Sequence, residues 1–221
     1  MTAKPNPDKG AVILLHGLAR TARAMKKMEK ALSDDGYVVI NQGYPSTRHS
    51  ISELAAQALP TALARCPKQG DVHFVTHSMG GILLRQYLST HSLPRLGRTV
   101  MLGPPNQGSE VVDRLGQWAP FRWVNGPAGA QMGTTPDSLP IQLGPVDFHL
   151  GIIAGSQTIN FLLSTMLPGP NDGKVTVERT KVAGMHDHLV LPVTHPFMMR
   201  NVRVIEQVRF FLETGRFNTS L

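Results

Sequence analysis

A serine sits where a strand-like run gives way to glycines, in Val72-His73-Phe74-Val75-Thr76-His77-Ser78-Met79-Gly80-Gly81. A buried strand that ends on a serine, with a glycine-led helix opening at once, is the setting of a nucleophile elbow of the G-x-S-x-G type. Such a turn lifts the hydroxyl above the sheet, and small neighbours let the helix pack close to the strand. The helix N-terminus favours negative charge growing on a substrate. Ser78 is therefore the candidate nucleophile. Thr76 stands where that pattern has glycine, and its β-branch crowds the turn. His77 is expected to point away from the hydroxyl and to be structural.

A second stretch, Ala11-Val12-Ile13-Leu14-Leu15-His16-Gly17-Leu18-Ala19-Arg20, is a strand opening into His-Gly. Placed before a serine elbow, that is the usual site of one oxyanion-hole donor. Gly17 lets the backbone approach a substrate, with His16 beside it, and both count as candidate substrate-binding residues. The oxyanion donors are assigned to the main-chain N–H groups of Leu18 and Met79, each worth roughly 3–4 kcal/mol of transition-state stabilisation.

A base and an acid are expected to follow the nucleophile in the order Ser, Asp/Glu, His. His195, in Leu191-Pro192-Val193-Thr194-His195-Pro196-Phe197, lies in a loop just before a closing helix and is the candidate base. His91, His149, His186 and His188 compete with it. His186 and His188 flank Asp187, the spacing of a metal clip or a solvated turn, and the turn is preferred because no further ligand set supports zinc. For the acid, Asp172 in Pro168-Gly169-Pro170-Asn171-Asp172-Gly173-Lys174-Val175 follows a helical segment and is placed to hold the His195 tautomer. A plain Asn-Asp-Gly turn is the alternative, and Asp147 and Asp187 are the rivals.

Positioning these groups requires strands that end side by side. The pattern alternates strands over Ala11–His16, Tyr37–Ile40, Val72–Thr76, Arg98–Leu102, Phe148–Ala154 and Val182–Ala183 with helices over Thr21–Ser33, Ile51–Ala64, Gly80–Thr90 and Met198–Thr214. Alternation of this kind predicts an α/β fold, a mostly parallel central sheet covered by helices on both faces. The continuous apolar strands agree with burial on both sides. From Asn106 to about Asp147 the rhythm breaks into an irregular, lid-like excursion with little periodicity. Trp118 and Trp123 lie in it as candidate contacts for apolar ligands, against the alternative of a packed surface loop. Asn106 is a candidate for shaping the cleft. No linker divides residues 1–221, so one domain is expected.

Together these pieces resemble a small bacterial lipase or esterase of the α/β-hydrolase superfamily. The resemblance is carried by HGLAR at 16–20, THSMGG at 76–81, GPPNQGS at 103–109, PNDGKV at 170–175 and THPFMM at 194–199. It implies the α/β-hydrolase fold and hydrolysis of carboxylic (acyl) esters without a cofactor. Ser78 would be the nucleophile, His195 the base, Asp172 the acid, and the Leu18 and Met79 amides the oxyanion hole. The same triad would serve an acyltransferase or amidase, and a catalytically dead binding protein on this fold is a third reading.

Composition excludes other classes. At 41% apolar and 17% charged residues, the chain is of ordinary globular make-up. Its net charge of +7 is spread over small groups such as Lys26-Lys27, Arg95/Arg98 and Arg200/Arg203/Arg209. No basic stripe with interleaved aromatics points to nucleic acid. The charge and the tryptophans leave anionic membrane surfaces as a weaker expectation. Cys66 alone cannot make an internal disulfide. Lacking a secretory h-region, the chain is expected to begin near Met1 and to be cytoplasmic.

Overall fold

The five residues of strand β1 (Ala11–Leu15) are all apolar and all buried. Side chains of a strand alternate between faces, so this composition demands cover on both sides. A computed structural model, describing residues 6, 9–159, 164–165 and 167–220, supplies it. The expected start near Met1 lies outside the described residues, as does part of the helical segment expected before Pro168.

Among the described residues six strands form one sheet: β1, β2 (Val38–Gln42), β3 (Val72–His77), β4 (Leu96–Leu102), β5 (Leu150–Gly155) and β6 (Asp187–Leu191). Their order is β2-β1-β3-β4-β5-β6 and every pairing is parallel. Ile13 and Leu15 face helices α2 (Ile51–Leu63) and α3 (Met79–Leu88), packing with Ile51, Leu54, Leu59, Ile82 and Leu83. Val12 and Leu14 face the other way, toward Met28 and Leu32 of α1 (Lys26–Asp34) and the closing helix. Fully burying each such side chain is worth about 1.5–3 kcal/mol. The sheet is thus clamped between two apolar layers. The chain leaves β1 in one direction toward β2 and returns past it to β3, so the crevice above β1 and β3 is a switch point, where open parallel sheets bind ligands.

Four expectations are corrected. The excursion is not irregular: it holds α4 (Glu110–Leu115), α5 (Ala119–Ala130) and α6 (Leu139–Gln142). Periodicity does not find them because they are short, α5 and α6 carry a proline in their first turn, and α5 is broken at Gly126. There φ is +63°, and a side chain would strike the Thr47 carbonyl. The last strand is β6, not Val182–Ala183, and its mixed Asp-His-Leu-Val-Leu sequence suits a half-exposed sheet edge. A four-residue helix, α7 (Val177–Thr180), precedes that turn. The closing helix α8 runs Val202–Thr214, because the Asn201 side chain accepts the Val204 N–H and starts it anew after a 3-10 turn at Met198–Arg200. Likewise Ala22–Met25 is a 3-10 turn ahead of α1.

Candidate active site

Ser78 joins β3 to α3 with φ +54° and ψ −124°, and among the described non-glycine residues only Ala19 shares its positive φ. Such backbone costs on the order of 1–3 kcal/mol and persists only where its surroundings hold it. The Ser78 N–H donates to the Leu102 carbonyl at 2.8 Å. Behind it, a side chain at Gly80 would come within 2.7 Å of the Leu15 carbonyl oxygen, so helix and strand can approach only through glycine. Thr76 is accommodated because a side chain is also missing at Gly81, whose Cβ would lie 3.2 Å from Thr76 Oγ1. That hydroxyl is buried and has no hydrogen-bond partner.

The other two groups arrive from loops beyond β5 and β6. The Ser78 hydroxyl donates to His195 Nε2 at 3.0 Å, and His195 Nδ1–H donates to Asp172 Oδ2 at 2.6 Å. Asp172 is buried, and its second oxygen, Oδ1, accepts the N–H groups of Lys174 (3.0 Å) and Val175 (2.9 Å). The Asn-Asp-Gly turn is present as well: Asn171 Oδ1 accepts the Gly173 N–H, and Gly173 has φ +96°. Turn and acid are one device. The His195 N–H donates to the Asp172 carbonyl, locking the two loops together. Gly103 completes the fit, since a Cβ there would sit 2.9 Å from Asp172 Oδ2 and 3.2 Å from His195 Nδ1.

The N–H groups of Leu18 and Met79 have no acceptor among the described residues, whereas the Ala19 N–H is taken by Ser46 Oγ at 3.0 Å. Two unpaired amides thus flank Ser78. Gly17 is required for this closeness: a Cβ would meet His77 Nδ1 at 2.9 Å and Ser78 Cβ at 3.0 Å.

Several sequence candidates are placed elsewhere. His16 is fully buried, stacked on Tyr44 at 4.0 Å between ring centroids, and does not line the cleft. Its Nδ1–H donates to the Gly17 carbonyl and Nε2 accepts the Tyr44 N–H, while the Tyr44 hydroxyl donates to the His16 carbonyl. Burial lowers its pKa, so it stays neutral and buttresses the loop. Asn106 is also buried away from the cleft, donating to the Thr180 carbonyl. Trp118 and Trp123, 60% and 88% exposed, face outward, and Phe121 of the same helix lines the cleft instead. Asp187 accepts the Phe217 N–H, His188 pairs with Thr180, and His186 stacks on His149. No group of three His, Cys, Asp or Glu side chains converges on a metal position among the described residues.

His77, expected to be structural, is buried along the cleft floor, and its Nε2–H donates to the His195 carbonyl at 3.0 Å. Burial, then the neighbouring His195, holds its pKa well below the ordinary 6.5. Arg85 of α3 is a buried cation whose partners are all neutral. Its guanidinium donates to the Asn106 carbonyl and Oδ1, and to the carbonyls of Pro140 and Gly144. Burial pulls its pKa down to about 10. An arginine inside Gly-Gly-Ile-Leu-Leu-Arg was the available signal, since a charge in an apolar helix needs buried acceptors.

The cleft above Ser78 encloses about 280 Å³. Val111, Val112, Leu115, Phe121, Val124 and Met132 form its apolar wall, and Arg20 and Lys174 also reach it.

Comparison with known proteins follows this geometry. Residues 12–205 match the model of the alpha/beta hydrolase family. No curated protein matches the sequence. Among solved structures, the chain is similar to the mature lipase BlEst2 of Bacillus licheniformis (TM-score 0.70, 19% identity, 97% of this chain and 95% of that one). It is also similar to the esterase RhEst1 of a Rhodococcus species (TM-score 0.58, 17% identity, 96% and 93%). A third likeness is to the phospholipase PlaB of Legionella pneumophila (TM-score 0.61, 17% identity, 77% and 45%). At these identities the likeness is one of fold.

Proposed function

The chain belongs to the alpha/beta hydrolase family, and on that premise we propose that it is a serine hydrolase cleaving carboxylic esters through an acyl-enzyme on Ser78. The observation that carries this is the unbroken line from Ser78 Oγ through His195 to Asp172 beside two unpaired amides. Ser78 attacks the ester carbonyl while His195 Nε2 takes its proton. The carbonyl electrons move onto oxygen, and the Leu18 and Met79 N–H groups donate to that oxyanion. As the tetrahedral species collapses, the C–O bond to the alcohol breaks and His195 gives its proton to the leaving oxygen. Water, deprotonated by His195, then releases the carboxylic acid and restores Ser78. Asp172 stabilises the imidazolium formed in both halves.

Hydrolysis of p-nitrophenyl esters from acetyl to palmitoyl tests this, comparing wild type with Ser78→Ala. The expected loss in kcat/KM is about 100,000-fold or more, with folding unaffected. Equal activity in the variant, or no activity on any ester, would overturn the proposal. The chain-length optimum reports how much acyl chain the apolar wall accepts.

A further inference from the structure

Two cations, Arg20 and Lys174, share the cleft with the apolar wall. Arg20 follows the oxyanion loop, and Lys174 follows the acid by two residues. Both line the same cleft as Ser78 and His195, and among the described residues no Asp or Glu lines it. Neither Arg20 nor Lys174 forms an ion pair among the described residues. The nearby Asp172 carboxylate is already committed to His195 and to two backbone N–H groups.

The backbone that carries them is anchored. The Lys174 N–H donates to Asp172, and its carbonyl accepts the Ser109 hydroxyl at 2.7 Å. Arg20 follows Ala19, which is held at φ +53° by its bond to Ser46. The Lys174 side chain stays open to solvent while protein crowds it on its sides. That partial desolvation, followed by repulsion from Arg20, lowers its pKa, and Asp172 only partly opposes them. Two like charges lining one cleft leave a position where an anion would be stabilised. Lys174 also lines a small adjoining hollow together with His195 and Pro196. It therefore stands on the side of the base, where the alcohol leaves.

We propose that Arg20 and Lys174 form an anion subsite, and that the preferred substrates are acyl esters whose alcohol portion carries a carboxylate or phosphate. This rests on the ester-hydrolase reading and adds the substrate class. The acyl chain lies along the apolar wall, and the anion is gripped by charge-assisted hydrogen bonds from the two cations.

The test compares two matched pairs: 4-(butyryloxy)benzoate with its neutral methyl ester, and butyryl glycerol 3-phosphate with butyryl glycerol. The readout is the anionic-to-neutral ratio of kcat/KM in wild type, Arg20→Gln, Lys174→Met and the double variant. Lys27→Gln, an exposed lysine on α1, controls for net charge. The double variant is expected to lower the ratio about tenfold or more, while the control leaves it within about twofold. A loss confined to the carboxylate pair or to the phosphate pair identifies the anion, and a loss in both means either is accepted. Ser78-dependent hydrolysis with an unchanged ratio in both pairs overturns the subsite alone. Absence of Ser78-dependent hydrolysis on all four esters removes the ester reading and the subsite together.

Discussion

The two walls of the cleft are built on different terms. One stands on the sheet: Leu18, Ser78, Asp172 and His195 follow strand ends, and their polar atoms are committed to one another or left free only as the two N–H donors. The other is the segment 106–147, three short helices with a break at Gly126 and tryptophans turned to solvent. The sheet wall is over-determined, as bond making requires. The helical wall is attached from outside the sheet: Arg85 holds residues 106, 140 and 144, Ser109 meets Lys174, Gln131 accepts the Ile51 N–H, Asn106, Gln107 and Glu110 bond to residues 178–181, and Ala128 and Met132 join the core cluster beside α2 and α3. On the proposed mechanism the sheet wall carries the reaction and the helical wall the choice of substrate, a separation that mutation can test.

That contrast can be broken by changing each wall alone. Asp172→Asn attacks the first: it removes the charge that stabilises the imidazolium and reverses the tautomer, so kcat should fall about 10,000-fold with KM little changed in steady-state kinetics. Arg85→Met attacks the second. It leaves three buried acceptors and the half-buried Gly144 carbonyl without their donor, and urea unfolding should show a loss of about 3 kcal/mol. On esters with long acyl chains, KM should rise more than kcat falls, and an equal fall in kcat on every ester would contradict the separation.

Acid sharpens the same comparison, because the floor of the sheet wall holds His77 neutral. Its folded pKa lies below 6.5, so its contribution is complete above that pH and is lost as pH falls beneath it. Between its folded pKa and 6.5 the unfolded chain binds the extra proton, costing about 1.4 kcal/mol per pH unit. A melting temperature that drops from about pH 7 to about pH 5.5, less steeply in His77→Gln, is the expected result. The smallest effect is at Thr76, whose buried hydroxyl lacks a partner. Thr76→Val keeps the shape and should raise stability by up to about 1 kcal/mol, with kcat/KM within about twofold.

How much was legible in the sequence follows the same division. Central strands announce themselves because both faces are apolar, as in Ala11–Leu15, and glycines at 17, 80 and 81 mark where neighbours come too close for a side chain. Ser78, His195 and Asp172 could be placed because each follows a strand or turn of that frame. The edge strand Asp187–Leu191 was missed because half of it faces water and its composition is mixed. The helices of the excursion were missed because four to twelve residues give periodicity too little length. His16 and Asn106 looked like cleft residues, yet a polar side chain beside a motif can serve the motif from behind. Only packing tells which side it takes.

The strand order has a consequence for how the protein is made. Once β1 and β2 have paired, β3, β4, β5 and β6 are added outward in the order in which the ribosome delivers them. Ser78 emerges early with its elbow, while His195 waits for the last strand and the loop after it. On the proposed mechanism, a nascent chain would carry an unactivated hydroxyl through most of its synthesis, and reactivity would begin only once the edge strand β6 has delivered its loop to Ser78.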